Sequence, residues 1–138
     1  MLDFFICGVQ KGGTTALDFF LREHPAVQMA NVKEVHFFDD ESQAWDAPDY
    51  AKLHSYFEEP EQGRLRGEAT PIYSYWPNAV ERISAYNPAA KLILMLRHPV
   101  LRALYVLEQR LPVSDATVRD VLRKLLRGPL PVVRGRQK

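Results

Sequence analysis

The run Phe4-Phe5-Ile6-Cys7-Gly8-Val9-Gln10-Lys11-Gly12-Gly13-Thr14-Thr15-Ala16-Leu17 constrains this chain more than any other segment. An apolar strand runs into a glycine-rich turn carrying one lysine and two hydroxyls, and a helix follows. Glycines let the backbone turn sharply and bring its N–H groups close to an anion. The N-terminus of the following helix adds unpaired donors and a partial positive charge. Lys11 adds a full charge, and Thr14 and Thr15 are suited to cap the helix or to donate hydroxyls to phosphate oxygens. Gly8 and Gly13 keep the four-residue gap of a nucleotide-binding P-loop, but the lysine precedes the second glycine and Thr14-Thr15 replace the usual Lys-Ser/Thr pair. The segment reads as a variant phosphate cradle.

Strand and helix signals alternate along the rest of the chain, which predicts an α/β, P-loop-like three-layer fold with a mainly parallel sheet. Residues 3–9 read as strand and 14–23 as helix, with Ala16, Leu17, Phe20 and Leu21 directed to the core and a stop near His24-Pro25. Residues 31–40 show neither period and read as a short extended segment and turn. A helix is expected over 47–57, a polar loop at 58–63, a strand over 66–70 and a helix from Pro77 to Tyr86. Lys91 to Arg97 reads as the clearest buried strand, five apolar residues bounded by charge. Helices are expected over 99–111 and 115–126, the last ended by Gly128-Pro129.

In open α/β sheets ligands collect beyond the carboxyl ends of the strands, so Arg97 and the glycine loop are expected to face one site. The single Cys7 lies inside the first strand and excludes a disulfide framework. No apolar run of 18 residues occurs, which predicts no membrane span. Met1 stands almost directly before the first strand, so no signal peptide is expected and the default location is cytoplasmic. Residues 119–138 hold seven Lys/Arg and one acidic residue while the remainder is net acidic. That tail reads as the arginine-rich end of a shortened chain rather than a contact for an anionic partner, and no nucleic-acid partner is expected. His24 and His36 stand apart from other ligating residues, and no metal site is expected.

Gly8-Val-Gln-Lys-Gly-Gly-Thr-Thr resembles the 5′-phosphosulfate-binding loop of sulfotransferases that use 3′-phosphoadenosine 5′-phosphosulfate (PAPS), especially the bacterial and heparan-sulfate-type branch. Three further segments are similar to family motifs in the same order. They are Lys33-Glu-Val-His-Phe-Phe-Asp39, Gly67-Glu-Ala-Thr-Pro-Ile-Tyr73 and Leu96-Arg-His-Pro-Val-Leu-Arg-Ala103. The resemblance covers residues 3–105. It implies transfer of a sulfonate from PAPS to a hydroxyl or amine of a small-molecule or glycan acceptor, without a divalent metal.

Sulfuryl transfer needs charge stabilisation at the leaving phosphate and a base at the acceptor. Lys11 suits the first task. The resemblance implies Glu34 as general base, with His36 as the alternative base or an orienting group, and Lys33 near the sulfonate or acceptor. Val35, Phe37 and Phe38 are expected to supply partial burial for Glu34. Gly8, Lys11, Gly12, Gly13, Thr14 and Thr15 are implied to hold the 5′ end of the cofactor and Arg97 its 3′-phosphate, where a guanidinium offers a forked donor.

The chain departs from the pattern in places. Tyr105 stands where the family has a serine beside the 3′-phosphate, Ala69 where some relatives have a lysine, and His98 and Leu101 where Asn and Asp are usual. The resemblance implies a domain about twice this length. Residues 1–111 therefore read as its N-terminal part and 112–138 as a divergent or truncated basic segment. Two alternatives stay open. One is an impaired fragment that binds adenosine phosphates or a partner without turnover, and the other is a small-molecule kinase dependent on magnesium and a nucleoside triphosphate.

Overall fold

The computed structural model of the chain describes residues 1–59 and 63–110. The chain divides after Arg97 into two units. The first holds β1 (Phe4–Gly8), α1 (Thr14–Arg22), β2 (Val27–Met29), α2 (Tyr50–His54), β3 (Leu65–Ala69), α3 (Ala79–Tyr86) and β4 (Lys91–Leu94). In the second, α4 (Pro99–Arg110) is described. The expected helix over 115–126 and the basic tail lie outside the described residues.

The four strands form one all-parallel sheet in the order β2-β3-β1-β4. β1 is central: Phe4 stands opposite both Gly67 and Lys91, and Ile6 opposite Ala69 and Ile93. Side chains alternate across a strand, so β1 feeds two cores. Phe4 and Ile6 pack with Val27, Met29 and Ala69 beneath Leu17 and Leu21 of α1. Phe5 and Cys7 point to the opposite face, into a larger aromatic core with Phe37, Phe38, Leu53, Tyr73, Ile83 and Tyr86. The edge-to-face pair of Phe5 and Phe38, with centroids 5.4 Å apart, marks its centre. The result is three layers: α1, the sheet, and a layer of α2, α3 and irregular backbone.

Several expectations are corrected. The strand over 91–97 is not the buried one: β4 stands at the edge of the described sheet, with Leu94 54% and Leu96 79% exposed. Five apolar residues in a row signalled burial on both faces, whereas β1, with a more ordinary pattern, takes the central place. The three-residue β2 went unread because it is too short to show a period. The helix expected over 47–57 is a single turn, Tyr50–His54, started by the Asp49 carboxylate accepting from the Ala51 amide at 3.0 Å. In α1 Leu17 and Leu21 pack on the core as expected, but Ala16 and Phe20 do not, Phe20 being 69% exposed, and Thr14 and Asp18 are buried in their place. Asp18 tolerates burial because Arg22, one turn on, donates to it at 2.9 and 3.2 Å.

Candidate functional site

All four strands run in one direction, so the segments that follow β1, β2, β3 and β4 emerge at the same carboxyl edge. The first motif starts on the last residue of β1, the second follows β2, the third starts within β3, and Leu96 and Arg97 of the fourth follow β4.

After β1 the chain turns through residues 9–13. Gly8 accepts from the Met95 amide at 2.8 Å and Val9 donates to the Met95 carbonyl at 3.0 Å, which fastens the loop's entry to the end of β4. The Gly12 amide closes back onto the Val9 carbonyl at 2.9 Å. A Cβ at Gly12 would run into the Met95 carbonyl oxygen and lie 2.8 Å from that of Val9, so only glycine fits. Gly13, at φ +108°, is the residue before α1, and its carbonyl accepts from Ala16 and Leu17. Lys11 also takes a left-handed φ of 62°, uncommon for a residue with a side chain. Its side chain is exposed.

The expected threonine cap is not made. Gly13 stands at the cap position with no side-chain bond, Thr14 is buried and Thr15 exposed. Among the described residues nothing accepts from the amides of Gln10, Lys11, Gly13, Thr14 or Thr15. These donors surround one turn at a helix N-terminus under a lysine, which is the arrangement an anion requires.

The second motif follows β2 as irregular backbone. Val35, Phe37 and Phe38 turn into the aromatic core, and Glu34 and His36 alternate outward. Glu34 is partly buried, as expected, but Val35, Phe37 and Phe38 turn into the core, and charged groups stand around its carboxylate instead. Its carboxylate lies 3.0 Å from the Lys33 ammonium and 3.4 Å from Nε2 of His36. The other ring nitrogen, Nδ1, lies 2.8 Å from Asp39 Oδ2. A carboxylate only accepts, so Nδ1 carries the proton there and Nε2 faces Glu34. His36 is a further non-glycine residue at positive φ, 55°. Asp39, quoted in the motif but given no role from sequence, is the partner that orients the ring. Its position three residues after His36 was the available signal.

The third motif ends β3. Glu68 is fully buried: its Oε2 accepts from the Thr70 hydroxyl at 2.7 Å, and its Oε1 has no hydrogen-bond partner among the described residues. Burial pushes its carboxyl up to about 7, against the opposing pull of the Thr70 and Tyr73 hydroxyls; Asp39 adds to the rise and His36 offsets it. Burial likewise pushes the Cys7 thiol up to about 12, with Glu68 adding to it. That leaves the thiol inert and in keeping with a packing role.

Arg97 is exposed, two residues beyond the Met95 that fastens the loop. Tyr105 stands on α4, in the second unit. Beside the second motif lies a cleft of about 360 Å³ lined by Val35, His36, Phe37, Asp39, Asp40, Lys52 and Tyr56. Among the described residues no cluster of His, Cys, Asp and Glu is arranged to hold a metal ion. No described helix is long and apolar enough to cross a membrane.

A family model described as a sulfotransferase domain matches residues 2–120. The membrane-associated sulfotransferase kil1 of Dictyostelium discoideum is 38% identical over 74% of this chain and 21% of its own length. Human heparan sulfate glucosamine 3-O-sulfotransferase 6 is 40% identical over 72% of this chain and 28% of its own. Among solved structures, a sulfotransferase from Alicyclobacillus acidocaldarius superposes with a TM-score of 0.68 at 30% identity, over 91% of this chain and 57% of that one. The chain thus spans between a fifth and three tenths of these two curated relatives.

Proposed function

This chain belongs to the sulfotransferase domain family, and from that premise we propose that it binds PAPS and carries the groups that transfer its sulfonate to a hydroxyl or amine acceptor. The observation that carries the reading is the turn at residues 10–15, where five amides without an acceptor among the described residues stand beside Lys11. That donor set fits the 5′-phosphosulfate end of the cofactor, and the close approach of Gly12 to the Met95 and Val9 carbonyls holds the turn in this shape. Arg97, at the same edge, suits the 3′-phosphate. Tyr105 belongs to the second unit.

PAPS, when bound, supplies the sulfonate. Lys11 holds a positive charge where negative charge grows on the leaving phosphate. Glu34 removes the proton from the acceptor, and His36, held by Asp39 on its far side, orients the acceptor or shares that proton with Glu34. The adjoining cleft mixes carboxylates, a lysine and aromatic edges, which suits a polyhydroxylated acceptor such as a glycan.

Calorimetric titration of the chain with 3′-phosphoadenosine 5′-phosphate, in the absence of magnesium, tests the cradle. Binding with a Kd on the order of 1 μM is expected. Lys11→Ala and Arg97→Ala should each weaken it by about 10- to 100-fold, the range for one charge-assisted hydrogen bond. A folded sample that takes up no nucleotide would overturn the reading.

A further inference from the structure

Residues 31–40 carry no helix or regular strand, yet three of their side chains sit in the core and their backbone amides need acceptors away from water. Two hydroxyls of the third motif supply them. Thr70 Oγ1 accepts from Val35 at 3.0 Å and His36 at 3.4 Å, and the Tyr73 hydroxyl accepts from Phe37 at 3.0 Å and Phe38 at 3.3 Å. Four consecutive amides are thus taken in pairs by two side chains one turn apart. A hydroxyl has one proton and two lone pairs. Thr70 donates its proton to the buried Glu68 carboxylate, so both lone pairs are directed at Val35 and His36 and its hydrogen-bonding capacity is filled.

We propose that Thr70 and Tyr73, with Glu68 orienting the Thr70 hydroxyl, are positioning residues that hold the 34–38 backbone so that Glu34, His36 and Asp39 converge. The inference rests on the reading of Glu34 and His36 as the reacting groups. His36 sits at φ 55°, a conformation that persists only where its surroundings over-determine it. The amides on and beside it are the ones that Thr70 fixes. None of the three positioning side chains touches the acceptor cleft, so their contribution passes through the backbone of the second motif.

Amide hydrogen exchange by NMR on the 138-residue chain tests this, with Thr70→Val, Thr70→Ser and Tyr73→Phe. In Thr70→Val, exchange at Val35 and His36 should rise by about tenfold, the loss of one hydrogen bond, while Phe5 and Ile6 in β1 hold. Thr70→Ser, which restores the hydroxyl, should return both to wild-type rates, and Tyr73→Phe should move Phe37 and Phe38 instead. In turnover assays Thr70→Val should lower kcat by about tenfold with KM for the donor held, and Thr70→Ser should recover it. Unchanged exchange at Val35 and His36 would overturn the proposal. So would an equal rise throughout β1, which would mean general destabilisation, or a kcat unaffected in an active chain. Exchange needs no turnover: a chain that transfers no sulfonate but shows the expected pattern would refute the proposed activity while leaving the positioning of the segment established.

Discussion

The glycine loop and the 33–39 segment are both irregular backbone at the carboxyl edge of one sheet, and they treat their amides in opposite ways. The loop leaves five N–H groups without an acceptor among the described residues, and the second segment has four in a row claimed by Thr70 and Tyr73. Donors left open can grip an anion. Donors closed by side chains cannot bind anything, but they fix where the neighbouring side chains point. One edge of one sheet thus holds a binding surface made of backbone and a reacting surface made of side chains, each shaped by what its amides do.

The largest test of that contrast concerns the carboxyl buried under the second segment. Glu68 has a folded-state pKa raised to about 7 from an ordinary 4.5. The folded chain therefore holds a proton that the unfolded chain releases, and stability falls as pH rises from about 4.5 to 7, by roughly 3 kcal/mol across the interval. Asp39, His36, Tyr73 and Cys7 face the same carboxyl and must be held constant in the comparison. Urea denaturation at several pH values should show this slope in the wild type and its removal in Glu68→Gln. The same slope in both would mean that Glu68 is ionised throughout.

Gly12→Ala breaks the other side. The added methyl collides with backbone on two sides, so the turn must open. Affinity for 3′-phosphoadenosine 5′-phosphate should fall on the order of 100-fold while exchange at Val35 to Phe38 stays put. Retained affinity would show that the cradle tolerates another shape.

Tyr73→Phe is the converse. Two buried amides lose their acceptor, and unfolding free energy should drop by about 2 kcal/mol with nucleotide affinity unchanged. A change in affinity instead would join the two regions that the comparison separates. Asp18→Ala, which removes the ion pair on α1 behind the loop, should cost only ~0.5 kcal/mol and leave nucleotide binding alone.

The two regions also differ in how far the sequence discloses them. The glycine loop is written in consecutive residues, and its strand, turn and helix stand where the pattern predicts. Even there the detail escaped: Thr14 turns inward and Gly13 takes the cap position, because the left-handed turn at Lys11 and Gly13 decides which way the hydroxyls face. The second motif was legible as a list of residues but not as an arrangement. No period within 31–40 reveals that its amides end on Thr70 and Tyr73, since those acceptors lie more than thirty positions away. Sheet position escaped for a similar reason. Five apolar residues in a row made 91–97 read as the clearest buried strand, yet among the described residues β4 pairs with one strand and β1 with two.

The reciprocal pair of bonds between Gly8-Val9 and Met95 makes β4 the floor on which the anion loop rests. The floor comes from the far end of the unit's sequence and is itself braced by one strand among the described residues. Grip on a phosphate is thereby a property of sheet register. A fraction of an ångström of slip between β1 and β4 would tilt the first turn of the loop and scatter its amides with no change to any residue of the loop itself.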